Sequence, residues 1–204
     1  VASLREAQKE MTRRMLLDAG LELFAGKGYL ATTVEDIASA VGTTRVTFYS
    51  HFPSKAELVK ALVAERLNEV LRRSRSPEHG STAHDLVAAV RDGGREALAT
   101  WLGQAAERWP EIHPIVRIGR DAAVAEPELR NLVERWLEEA IADIEDGLAA
   151  AGRFEPHQRH FRGVLAMAQL DYVAQNWAAS DWKLDREQML AELADSWFGL
   201  IGDR

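Results

Sequence analysis

An all-α fold, divided into a small N-terminal bundle and a larger C-terminal helical domain, is what this sequence predicts. Three observations carry the expectation. Apolar residues recur every three or four positions along most of the chain, without the alternation that marks strands. Ala, Leu, Glu and Arg, all strong helix formers, dominate the composition. All six prolines lie where an apolar run breaks or begins, as expected if helix interiors exclude them. The 204 residues are 47% hydrophobic, which excludes a disordered chain, and hold no cysteine, which excludes disulfide scaffolds, thiolate metal sites and thiol catalysis. No apolar stretch approaches the ~18 residues of a membrane span. The charged opening Leu4-Arg5-Glu6 predicts no signal peptide, and with it a cytoplasmic location.

Taken in order, helices are expected near 8–26, 34–41, 44–51, 55–75, 82–109, 114–122, 127–151, 157–179 and 185–202. The first carries Leu16, Leu17, Ala19, Leu21, Leu23 and Phe24 on one broad face, and Gly26-Lys27-Gly28 stops it. Thr33 to Asp36 and Ser54 to Glu57 each fit a capping box, in which hydroxyl and carboxylate satisfy each other's backbone amides. Thr82 to Asp85 and Asp185 to Gln188 are looser openings of the same kind. Residues 75–81 read as the loosest connection. The expected division is a small bundle over 1–54, a connecting helix over 55–75 and a larger helical domain over 76–204.

Two short helices, 34–41 and 44–51, are joined by a turn containing Gly42, the helix-turn-helix signature. Ala38 suits a close crossing of the two. The second helix presents hydrogen-bonding groups, Thr43, Thr44, Arg45, Thr47, Tyr49, Ser50 and His51, while Val46, Phe48 and Phe52 can anchor it. The net charge is −7, yet residues 1–60 are near neutral, and no acid lies between Asp36 and Glu57. Such an acid-free polar surface suits approach to a phosphate backbone. Ser54 and Lys55 open the next helix, where free amides also favour a phosphate. A three-helix subdomain with polar loops is the alternative reading.

The six tryptophans all lie beyond residue 100, and a helical domain this aromatic either packs a heavy core or lines a pocket. Candidate pocket residues are Trp101, Trp109, Trp136, Phe161, Gln169, Tyr172 and Asn176. The last three polar members, spaced three and four apart, share a helix face. Leu190, Leu193, Ala194, Trp197 and Ile201 form a further apolar stripe that either buries within one chain or joins two.

Over about residues 10–60 the sequence resembles the TetR-type transcriptional regulators. The resemblance runs through Thr33-Val34-Glu35-Asp36-Ile37-Ala38 and Val41-Gly42, then unbroken from Thr47 to Leu58. It implies a homodimer placing two recognition helices in successive major grooves of a palindromic operator, with half-sites roughly 34–36 Å apart. On that resemblance Tyr49, His51 and Lys55 are expected to contact phosphate, with Thr33 adding a hydroxyl. Thr44, Arg45, Val46 and Thr47 are expected at base edges, Arg45 bidentate to guanine or, alternatively, on phosphate. Tyr49 as core and His51 as a cap of its own helix remain open. The last two helices resemble the family's dimerisation pair. The resemblance further implies a repressor released by a small, apolar or amphipathic effector, with 1–54 as the DNA-binding domain and 76–204 as the ligand-binding and dimerisation domain. No cofactor, metal or membrane partner is expected, since no motif or apolar run of the required kind stands out. An enzyme is the rival: Glu155, His157 and His160 cluster, but no second set of ligands or nucleophile motif accompanies them.

Overall fold

The computed structural model describes residues 3–67, 74–76, 80–82, 84–177 and 182–203. The elements are α1 (Leu4–Lys27), α2 (Val34–Ala40), α3 (Arg45–His51), α4 (Lys55–Ala61, extended by a wider turn over Leu62–Arg66), strands β1 (Ser74–Ser76) and β2 (Gly80–Thr82), α5 (His84–Asp92), α6 (Arg95–Ala125), α7 (Arg130–Ala150), α8 (Pro156–Asn176) and α9 (Arg186–Ile201). A short 3₁₀ turn, Pro127–Leu129, leads into α7. The fold is all-α but for one antiparallel ladder of three pairs, with Arg75 opposite Ser81, where a loose connection was expected. Of the helix expected over 55–75, residues 68–73 lie outside the described set, and Ser74 and Arg75 are not helical but pair across β1 with Thr82 and Ser81, so the helix ends before them.

The chain divides into two compact units, Val1–Val70 with Pro114–Glu134, and Leu71–His113 with Arg135–Arg204. In the first, α1 to α4 close over Leu16, Phe24, Ile37, Phe48 and Leu58, and Ile118, Ala122 and Leu129 complete that core. α1 meets α4 so closely that a Cβ on Gly20 would stand 2.7 Å from Leu58 Cδ2. α1 begins earlier than the apolar pattern indicated because Ser3 and Glu6 form a full capping box.

In the second unit, α7, α8 and α9 pack with α5 and the first part of α6 around Trp197, which is 0% exposed and stacked on Trp101 at 5.6 Å between ring centroids. Glycines permit close approach: a Cβ on Gly147 would lie 2.7 Å from Val90 Cβ. The Arg153 guanidinium donates to the carbonyls of Val90 and Arg91 at the end of α5 and of Ile201 at the end of α9. It thereby satisfies helix-end acceptors that lack a partner within their own helices.

Two expected boundaries differ. The helix expected over 82–109 is broken at Gly93, whose φ of 74° ends α5, with Asp92 accepting from the Gly94 amide. Conversely, Pro110 and Pro114 do not divide the next helix, and α6 continues through both. Four residues apart, they remove ladder bonds along a single strip of the helix, leaving the opposite strip continuous.

Candidate nucleic-acid interface

Local rules build α2 and α3. The Thr33 hydroxyl accepts from the Asp36 amide at 3.1 Å, and the Asp36 carboxylate accepts from the Thr33 amide at 2.8 Å. Lys27 Nζ stands 2.7 Å from that carboxylate, and the Lys27 and Thr33 bonds hold it well below the usual carboxylate range. α2 ends in a Schellman arrangement, with Thr43 N donating to Ala38 O at 2.9 Å and Gly42 N to Ser39 O at 3.0 Å. Gly42 sits at φ 69°, a left-handed conformation that side chains rarely adopt. Thr44 then caps α3, accepting from the Thr47 amide at 3.3 Å.

Burial decides which face of α3 is presented. Phe48 and Phe52 are 0% and 2% exposed and lock the helix to the core. The opposite face carries Arg45, Val46 and Tyr49, with Val46 81% exposed. Leaving a valine in water forgoes about 1.5 kcal/mol of burial, so its position makes no sense as packing. Tyr49 is 46% exposed, its ring edge-on to Phe48 at 5.6 Å, and the alternative of a core tyrosine does not describe it.

The remaining candidates are distributed as follows. Thr44 and Thr47 share a hydroxyl contact of 3.2 Å, and the Ser50 hydroxyl donates to Thr47 O at 2.7 Å. Thr33 donates its hydroxyl proton to Asp36 at 2.7 Å, so a phosphate would have to displace that bond. Thr43 is half-buried beside the turn, with no hydroxyl bond among the described residues. Arg45 is exposed and lies 3.9 Å from Glu35, an acid that the linear spacing left outside the acid-free segment but that α2 brings alongside. His51 makes no cap bond, and its Nδ1 is buried without a partner. Burial, then Lys9 and Arg13 of α1, push its pKa below the ordinary histidine value.

Lys55 points inward. Its ammonium donates to Tyr29 O at 2.7 Å and Thr32 O at 2.8 Å, and lies 4.0 Å from the Tyr29 ring centroid. Two of its three donors are thus engaged in holding the α1–α2 connection. Tyr29 is 2% exposed and donates its hydroxyl to Glu126 at 3.1 Å. Burial and the Glu126 bond raise the phenol pKa, keeping it a donor. Arg117 of α6 donates to Ala25 O at 3.0 Å near the end of α1. Sequence reasoning missed Tyr29, Arg117 and Glu126. Partners more than ninety residues apart leave no local pattern to read.

In the second unit a cleft of about 470 Å³ lies between α6 and the end of α8, bordered by Trp109, Pro110, Ala174 and Trp177. A broader concavity between α5 and α6 includes Trp101. The other pocket candidates stand elsewhere. Phe161 and Tyr172 are 62% and 65% exposed on α8, because their positions fall on the face turned from the core. Gln169 accepts from Ser196 at 3.1 Å, and Asn176 donates back to Tyr172 O of its own helix at 2.8 Å. Trp136 is half-buried and borders neither cavity. The α9 stripe resolves toward the interior, with Leu193, Ala194, Trp197 and Ile201 all buried in one chain. His160 lies 3.5 Å from Glu145, and among the described residues no group of three or more His, Asp or Glu gathers to hold a metal. None of the described helices is long and apolar enough to cross a membrane.

A family model described as "Bacterial regulatory proteins, tetR family" matches residues 16–62. The HTH-type transcriptional regulator SrpR of Pseudomonas putida is 40% identical over 60 residues, 29% of this chain and 28% of that protein. The chain thus spans under half the length of the curated relatives it matches first. In fold, it is similar to a TetR-family regulator structure from Mesorhizobium loti, with TM-score 0.71, 18% identity, and 98% and 100% of the two chains covered. It is also similar to FadR from Bacillus subtilis in complex with stearoyl-CoA, with TM-score 0.64, 18% identity, and 93% and 97% covered.

Proposed function

We propose that the chain is a dimeric, ligand-responsive transcriptional regulator, on the premise that its residues 16–62 match the tetR family of bacterial regulatory proteins. In this reading it is a repressor that leaves a palindromic operator when a small amphipathic effector binds. The observation that carries it is the outward face of α3: exposed Val46 and Arg45 on a helix fixed from behind by Phe48 and Phe52. That is how a rigid reader is built, with apolar and guanidinium groups toward base edges and a buried aromatic anchor. Tyr49 and His51 contact phosphate at the far end of the helix, while Thr44 and Thr47 at its start face base edges, with Thr43 beside them. Ser50 and Thr33 shape the helix ends and reach DNA only by exchanging their present bonds. Lys55 acts first as a tether of the turn, with one remaining donor for a phosphate.

The dimer forms through α8 and α9. Phe161, Leu165 and Tyr172 make an exposed apolar stripe along α8, which supports a self-complementary contact of that helix with its copy. The effector binds in the second unit, a reading supported by the cleft beside Trp109 and by a fold neighbour crystallised with stearoyl-CoA. α6 supplies residues to both units, and Arg117 and Glu126 tie its end to α1 and Tyr29. A shift of α6 is therefore felt at the loop that Lys55 holds. The coupling required is about 1–3 kcal/mol of differential effector affinity for the two conformations.

Selection of duplexes from a random pool, followed by a salt titration, tests the reading. A regulator enriches a palindrome and binds it at least about 10³-fold tighter than random duplex. Equal affinity for both pools would overturn it.

A further inference from the structure

The cleft of the second unit carries more chemistry than an apolar hole. Its walls are Trp109, which is 7% exposed, with Pro110 and Ala174, closed on one side by the half-buried Trp177. His113 and Arg186 also line it. Four of the bordering side chains, Trp109, His113, Trp177 and Arg186, carry N–H donors that make no hydrogen bond among the described residues. The one neutral amide there, Gln175, already donates to Asp171 at 2.6 Å. Glu107 is the single carboxylate bordering the cleft, and it is exposed and not ion-paired among the described residues. Donors thus outnumber acceptors, and the donors stand against flat apolar walls.

We propose that this cleft binds a planar aromatic carboxylate, its rings against Trp109 and Trp177 and its carboxylate on the Arg186 guanidinium. A guanidinium meets a carboxylate with two parallel bonds, and indole faces favour ring partners over chains. A volume of about 470 Å³ lies within the range of small-molecule sites. His113 and the indole N–H groups supply further donors to an acceptor-rich ligand. Glu107 repels the anion only through solvent, whereas a bound cation would leave Arg186 facing like charge. The assignment rests on the effector reading above and narrows it from amphipathic molecules in general to one class.

The test uses the full chain, 2-naphthoate, its uncharged isostere 2-naphthamide and the cation 2-naphthylmethylammonium, with intrinsic tryptophan fluorescence as the readout. Naphthoate is expected to bind most tightly. Arg186→Gln weakens naphthoate about tenfold or more while moving naphthamide less than about twofold, since charge-assisted bonds to one partner are lost. Glu107→Gln leaves naphthoate unchanged or tighter. Arg186 is exposed, so its variant keeps the wild-type circular dichroism spectrum, and Trp109→Phe, which keeps the wall, reduces the quenching. Equal binding of amide and acid, tighter binding of the cation, or an Arg186→Gln variant with wild-type affinity would overturn the proposal. Operator affinity is followed separately: a chain that selects no palindrome sinks the regulator reading whatever naphthoate does. Naphthoate bound through Arg186 without any change in operator affinity leaves the site standing and removes only its effector role.

Discussion

Replacing Lys55 with methionine separates two roles that the same residue can play. Methionine keeps the apolar stem and removes the ammonium that holds Tyr29 O and Thr32 O at 2.7 and 2.8 Å. Each charge-assisted bond is worth about 1.5–3 kcal/mol, and the cation over the Tyr29 ring adds about 0.5–1 kcal/mol. Against this, burial pushes the Lys55 amine below its ordinary pKa, so removing the charge recovers desolvation. The freed carbonyls also regain some water. The expected net loss is about 2 kcal/mol, confined to the first unit. That unit contains no tryptophan, so urea unfolding is followed by circular dichroism and tyrosine emission instead. Operator affinity falls at every salt concentration because the α1–α2 connection loosens, but the salt slope stays. A true phosphate contact behaves the other way, losing about 0.9 of slope per phosphate with stability intact. An unchanged urea midpoint combined with that loss of slope would refute the tether.

Arg45→Ala is expected to relax preference at one base position by about 1–3 kcal/mol in a selection experiment, with little loss on random duplex. Its stability stays near wild type because the 3.9 Å pair with Glu35 is exposed on both sides. His51 carries a pKa lowered by burial and by Lys9 and Arg13, with Glu10 opposing. The free protein therefore loses stability as pH falls through the ordinary histidine value of about 6.5 toward the depressed one. On DNA a phosphate favours the charged ring, so operator affinity rises over the same fall in pH. Anisotropy titrations should show that rise in wild type and not in His51→Gln. Thr33→Ala removes a cap and should lower the stability of the first unit by about 1 kcal/mol in urea unfolding. The Asp36 contribution to that cap is present above the ordinary carboxylate pKa and is lost only as pH falls through its lowered value.

Features of short range were legible. The boxes at Thr33–Asp36 and Asp185–Gln188 form as their spacing indicates, because every partner lies within one turn. Ser54 shows the limit of that rule. It caps Glu57 N at 3.1 Å, while the Glu57 carboxylate turns instead to Lys60 at 2.7 Å. Ser3–Glu6 formed a box that the apolar pattern did not announce, since the buried face of α1 begins only at Leu16 and its first two turns are exposed. Pro110 and Pro114 read as breaks, yet tertiary packing of α6 outweighs the two lost bonds.

The amino-acid order by itself determined the helical class, the Gly42 turn and the polar, acid-poor character of α3, because each follows from propensity, spacing or φ within a few residues. Only the tertiary structure decided where those groups point. It turned Lys55 onto carbonyls 26 and 23 residues away, brought Glu35 beside Arg45, and joined Tyr29 to Glu126 across 97 residues. It also set Phe161 and Tyr172 on the outside of α8 while Trp109 borders a cleft. Helical periodicity places residues on a common face, but which face meets the core depends on neighbouring helices that no local pattern encodes.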